Sequence, residues 1–386
     1  MADTSKPQFS LSDFDDIRPF AEGEMKEAFD SMLADRKFSH ILKGMVPWMP
    51  VGLRNSLLRM LFVGIKTPQD FQIRYMKHMV WYCLKKCSTG WSWNFDSSLK
   101  RDGAYTFMSN HRDIVLDSAI LDYMLVKDGF AKTVEIAIGN NLLIYPWIKT
   151  LVRMNKAFVV NRGLSPKETL RSSIHMSQYM HFAINQKHEN IWIAQREGRA
   201  KDSDDRTQES VLKMLAMGGD LRELNIVPLT ISYEYDPCDY LKAQEFQQKR
   251  DNPAFKKSRQ DDLDNMKTGI FGYKGRVHYH CGIPINAWID ELKDLPRNEF
   301  FTAVAQRMDS EIHEGYQLFP CNYVALDELR GTTEFSSYYT KKDKEKFDDY
   351  LSGQIAKVKL HNRDEKFLRE RMLTMYANPA INKLKL

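Results

Sequence analysis

The chain has 386 residues, 43% hydrophobic and 28% charged, the balance of a folded globular protein rather than a disordered one. Its 56 Lys and Arg against 51 Asp and Glu leave a net charge of +5. That mild excess suits anionic ligands or lipid headgroups and lacks the dense basic stripe that nucleic acid requires, so no nucleic-acid partner is expected.

Along the chain, residues 1–97 read as a mainly helical region. The polar start, Met1 to Lys6, has no basic-then-apolar signal pattern, and no run reaches the roughly 18 apolar residues of a spanning helix. A protein that meets membranes from the cytoplasmic side, without crossing, is the expectation. Leu53, Leu57, Met60, Leu61 and Ile65 fall on one helical face, with Asn55, Arg59 and Lys66 opposite and Trp48 upstream. Such a face suits either an interfacial helix on a membrane or a helix packed on the core.

Residues 98–285 alternate β-rich runs with helical spacing. Tyr105–Met108, Thr133–Ile138, Ala157–Val160, Ile191–Ala194, Ile226–Tyr233 and Gly275–Tyr279 read as strands. Between them lie helix candidates, one opened by Ser165-Pro166-Lys167-Glu168, a cap residue, a first-turn Pro and a capping-box Glu. This alternation predicts an α/β core, helices flanking a largely parallel sheet. Residues 286–386 read as a second helical flank.

Cys83, Cys87, Cys238, Cys281 and Cys321 are odd in number and lack paired-ligand spacing, which favours reduced thiols and no metal site. His278 and His280 share one strand face but have no third ligand, and His175 and His181 read as helix decoration.

His111 follows the first core strand and precedes a helix, where α/β sheets concentrate their sites. Asp113 and Asp117 follow it closely. A carboxylate on one ring nitrogen fixes the tautomer and frees the other nitrogen to take a proton. A protein-kinase reading of His111-Arg112-Asp113 fails, because Ser118 stands where that loop needs Asn. Arg196, Arg199 and Lys201 surround Gly198 after another strand, and Arg162 ends a third. Guanidinium groups grip phosphate, and Gly lets backbone approach closely.

These blocks resemble the glycerolipid acyltransferases, in particular their bacterial branch. Asn110-His111 with Asp117 looks like the family's Asn-His-x-x-x-x-Asp with one extra residue; Phe158–Arg162 looks like its second block. Ala194-Gln195-Arg196-Glu197-Gly198-Arg199 looks like its Phe-Pro-Glu-Gly-Thr-Arg, and Ile226-Val227-Pro228-Leu229 like its Val-Pro block. The resemblance implies acyl transfer from acyl-CoA or acyl-carrier protein, with no further cofactor, to a glycerol phosphate or lysophospholipid hydroxyl. 1-Acylglycerol-3-phosphate is favoured. It implies His111 as general base oriented by Asp117, with Asp113 as the rival acid. Asn110, Arg162, Arg196, Glu197, Gly198, Arg199 and Pro228 would bind substrate. The alternatives are an N-acyltransferase for an aminolipid and a non-catalytic phospholipid-binding protein.

Overall fold

The computed structural model describes residues 9–386. The polar start, residues 1–8, lies outside them. Seven strands form one sheet: β1 (Ser88–Phe95), β2 (Thr106–Ser109), β3 (Val134–Gly139), β4 (Ala157–Val160), β5 (Asn190–Ala194), β6 (Ile226–Tyr233) and β7 (Gly275–Cys281), in the order β1-β7-β6-β2-β5-β3-β4. β2 to β6 are mutually parallel; β7 runs antiparallel to β6 and carries β1 parallel to itself. The expected largely parallel α/β sheet is therefore present, with a reversed pair added at one side.

Helices α1 (Met25–Ala34), α2 (Arg36–Met45), α3 (Val51–Phe62), α4 (Pro68–Phe71) and α5 (Lys77–Cys87) precede the sheet. α6 (Leu116–Lys127), α7 (Pro146–Met154), α8 (Pro166–Asn185) and α9 (Glu209–Leu215) connect the parallel strands, as crossovers between parallel strands must. α10 (Asp239–Asp251) and α11 (Arg259–Phe271) lie between β6 and β7; α12 (Arg297–Glu314), α13 (Pro320–Arg330), α14 (Lys341–Ala356) and α15 (Glu365–Leu384) follow.

Strand alternation divides the core into two layers. Phe107, Trp192, Val227 and Ile231 pack with α5 and α6, whereas Met108, Phe158, Ile193 and Ile226 pack with α8, α9 and α12. Leu116 through Leu125 are all buried, so α6 is held on every side and the first turn after β2 has little freedom. Ser165 opens α8 as expected, its N–H donating to Glu168 Oε2 at 3.0 Å. A separate C-terminal cluster packs Leu326, Leu351, Met372 and Tyr376 with Ala243 of α10.

Two features depart from the expected outline. β1 lies inside the stretch read as helical; its Trp91, Trp93 and Phe95 alternate onto the core beside α6. On α3 the supposed single apolar face is split. Ile65 is buried, but Leu53, Leu57, Met60 and Leu61 face outward with Trp48 and Val63, both more than 70% exposed. The helix docks instead through Phe62, stacked on Phe29 at 3.9 Å, and through buried Arg54, which donates to Ser39 Oγ at 2.9 Å.

The open edge at β4 is covered by the segment before α1. The Val159 N–H donates to the Ile17 carbonyl at 2.9 Å, and Arg153 Nε donates to the Arg18 carbonyl at 2.8 Å.

Candidate active site

The carboxyl ends of β2, β3, β4 and β5 share one edge of the sheet, because these strands are parallel and paired in register. His111 leaves β2 there. Its Nδ1 lies 2.8 Å from Oδ2 of Asp117, the second residue of α6. The same oxygen accepts the backbone N–H groups of Arg112 (2.7 Å) and Asp113 (3.1 Å), and Oδ1 accepts the Tyr233 hydroxyl at 3.4 Å. The Tyr279 hydroxyl donates to the Asp117 carbonyl. A carboxylate in that arrangement only accepts, so Nδ1 carries the ring proton and Nε2 presents a lone pair. Nε2 has no partner among the described residues, and the Trp192 ring packs edge-on at 5.5 Å between centroids.

Asp113 does different work. Its Oδ1 accepts the N–H groups of Val115 and Leu116, both at 2.8 Å, closing the start of α6, and among the described residues the imidazole's hydrogen bond goes to Asp117 instead. Burial, and then the neighbouring Asp117, push its carboxyl pKa upward. Its candidacy as the orienting acid is therefore not matched by its position. Two further site candidates are displaced inward. Asn110 is fully buried, donating to the Ile231 carbonyl (3.0 Å) and accepting the Ile231 N–H (2.8 Å), so its amide stitches β2 to β6. Pro228 is buried inside β6 opposite Met108, with its carbonyl accepting the Gly282 N–H. Neither has a free group to offer a substrate.

The loop after β5 is of another kind. Gly198 adopts φ +74°, in the left-handed region that a side chain disfavours, and this turns the chain between Glu197 and Arg199. Both amide atoms of Gln195, Nε of Arg196 and Nη1 of Arg199 are buried and partnerless among the described residues. Arg199 reaches across to Asn265 with its other nitrogen, Nη2, at 3.1 Å. Arg162, just past the end of β4, lies 3.7 Å from Glu197, both side chains exposed. The edge thus brings together His111, Arg162, Glu197, Gly198 and the two arginines. Unpartnered buried donors also occur elsewhere, at Arg54, Trp147 and Trp288, but this loop gathers four unpartnered polar atoms within five residues, a cluster whose donors an anion would satisfy.

A pair that sequence reasoning did not find braces this edge from behind. Arg112 meets buried Asp205 at 2.6 Å; Asp205 is also bonded by the Tyr316 hydroxyl, and its carbonyl lies 2.7 Å from His313 Nε2. The partners are 93 residues apart in sequence, and only the adjacency of Arg112 to His111 hints at the pairing. His278 and His280 face β1, their Nδ1 atoms 2.8 Å from Ser92 and 2.7 Å from Asn94, and burial pulls the His278 pKa down to about 4. All five cysteines are buried and unpaired.

No family model matches this chain, and no curated protein matches it. Among solved structures it is similar to the 1-acyl-sn-glycerophosphate (LPA) acyltransferase PlsC from Thermotoga maritima, at 12% identity and a TM-score of 0.36. The match covers 73% of this chain and 92% of that one. A superposition that loose transfers no residue from one chain to the other.

Proposed function

We propose that this protein moves a fatty acyl chain from a thioester, acyl-CoA or acyl-carrier protein, to the hydroxyl of a glycerol phosphate or lysophospholipid, with 1-acylglycerol-3-phosphate favoured. The observation that carries the reading is one edge holding both an oriented imidazole with a free Nε2 and buried guanidinium donors without acceptors.

In the reaction, Nε2 of His111 takes the acceptor's hydroxyl proton as that oxygen bonds to the thioester carbonyl carbon. The C–S bond then breaks, and the thiolate leaves with the proton from the imidazolium. Asp117 holds the tautomer and favours the charged ring at the transition state. Arg162, Arg196 and Arg199 seat the acceptor phosphate, making the encounter an oriented one. The amides at the start of α6 are engaged by Asp113 and Asp117 and so do not bind the oxyanion. The backbone N–H groups of Gly198 and Arg199 lack partners among the described residues and take that role. The buried cysteines suit direct transfer without an acyl-enzyme.

No helix among the described residues is long and apolar enough to cross a membrane. The outward apolar surface of Trp48, Leu53, Met60, Leu61 and Val63, edged by Arg59 and Lys66, supports peripheral attachment to the cytoplasmic face of a membrane. Replacing Trp48, Met60 and Val63 by Ser should abolish flotation with anionic liposomes; undiminished flotation removes the attachment.

Incubating purified protein with labelled acyl-CoA or acyl-carrier protein and a panel of hydroxyl and amine acceptors tests the transfer itself. His111→Ala should abolish it while leaving the circular dichroism spectrum and Tm unchanged. Full turnover in that folded variant would sink the mechanism.

A further inference from the structure

Between α10, α11 and the end of α14 lies a cavity of about 710 Å³, within the range of small-molecule and cofactor sites. Its wall includes Glu245, Lys257, Asn265 and Phe271. Glu245 is 4% exposed and meets three lysines: Lys201, Lys249 at 3.0 Å and Lys257 at 2.9 Å. None of the three has another carboxylate within 4 Å among the described residues. One carboxylate facing three ammonium groups leaves two positive charges uncompensated; Lys201 and Lys257 are about three-quarters buried, where repulsion is felt most, and Lys249 is exposed and screened. Burial, the largest influence on Lys201, brings its pKa down to about 8 despite Glu245. A second anion would relieve this strain. Elsewhere on the wall Lys267, Lys357 and Lys359 outnumber Asp261 and Asp264, and the Phe271 ring is about two-thirds exposed.

α11 ties this cavity to the edge at His111. Its Asn265 accepts from Arg199, and its Gly269 packs so closely on Asp113 that a Cβ would stand 2.1 Å from Oδ2. Lys201 itself closes the loop that carries Arg196 and Arg199.

We propose that this cavity seats the nucleotide end of a coenzyme A thioester, its phosphates on Lys257 of the wall, with Lys201 and Lys249 beside it on Glu245 just outside the lining, and its base on the ring of Phe271. The assignment rests on the acyl-transfer reading and selects the donor within it. Lysines act here as point charges for phosphate, and an exposed aromatic ring gives a purine a stacking face.

Isothermal titration of the intact protein with coenzyme A, without acyl chain or acceptor, tests it. Binding should weaken roughly tenfold or more in the Lys249→Gln/Lys257→Gln double variant. That variant keeps the Lys201–Glu245 pair and should keep its Tm. Phe271→Ala should weaken binding several-fold, and His111→Ala should leave it unchanged. No binding to the wild-type protein, or equal Kd in the double variant, would overturn the site. Inorganic pyrophosphate binding as tightly as coenzyme A would overturn the nucleotide assignment. Transfer from acyl-carrier protein without coenzyme A binding would sink this site and spare acyl transfer; lysine-dependent binding without any transfer would do the opposite.

Discussion

The stretch from Asn110 to Asp117 and the stretch from Gln195 to Lys201 end neighbouring parallel strands, yet they use their polar atoms in opposite ways. In the first, Asn110 is bonded to β6, Arg112 to Asp205, Asp113 to the helix start and Asp117 to the imidazole and two amides. In the second, Gln195, Arg196 and Arg199 keep buried atoms without protein partners. Arg112 Nη1 is likewise buried without a partner, but each polar side chain of the first region is anchored to the protein through another atom, whereas those of Gln195 and Arg196 are anchored by none among the described residues. A base must be oriented in advance, because a misplaced proton acceptor loses rate steeply, whereas a binding loop can wait for its ligand.

The comparison can be broken most sharply at Asp117. Asp117→Ala should lower kcat by about 10²–10⁴-fold, with the acceptor KM little changed, since the tautomer is lost and the loop is not. An equal loss in KM, measured by steady-state kinetics, would mean that the two regions are not separate in function. Arg199→Ala should do the reverse, raising the acceptor KM about 10–100-fold as a charge-assisted contact to phosphate disappears. Acceptor dependence that stays the same would end its phosphate role.

Asp113→Ala sharpens the contrast within the first region. Removal of the groups that close α6 should cost about 1 kcal/mol, seen as a Tm a few degrees lower, with kcat within a few-fold of wild type. Loss of turnover to the level of Asp117→Ala would restore Asp113 as the orienting acid. The smallest effect is expected at Asp122, further along the same helix. Its carboxyl, buried beside Gln72 and the Val134 N–H, is pushed up to about 7, mainly by burial. A raised carboxyl binds its proton more tightly folded than unfolded, so stability should fall as pH rises from about 4 to 7 and level off above. Asp122→Asn should remove that slope from a pH series of denaturant melts and leave turnover alone.

Much of the fold was legible because six of the seven strands are β-rich runs, and the helical spacing between the first five of them requires parallel crossovers. β1 was not read. Its Gly-Trp-Ser-Trp-Asn-Phe alternation was visible, but it adjoins a helix and pairs with β7, nearly 190 residues away. The proximity of His111 to Asp117 was legible as spacing. That Asp117 rather than Asp113 meets the ring depends on where α6 begins, and helix starts are poorly marked when two acids stand within one turn of each other. Asn110 and Pro228 were drawn toward substrate by motif position alone; burial and strand pairing, which no local pattern encodes, turned them inward. The Arg112–Asp205 pair is a tertiary fact.

The segment that lays Ile17 against β4 has a practical bearing on anyone preparing this protein. A chain shortened to begin after Phe20 would strip the cover from the outermost strand and leave its amides available to another molecule's edge. Light scattering of such a shortened chain should report concentration-dependent association that the 386-residue chain does not show. A proteolytic nick near residue 20 is then a route to aggregation rather than a harmless trim.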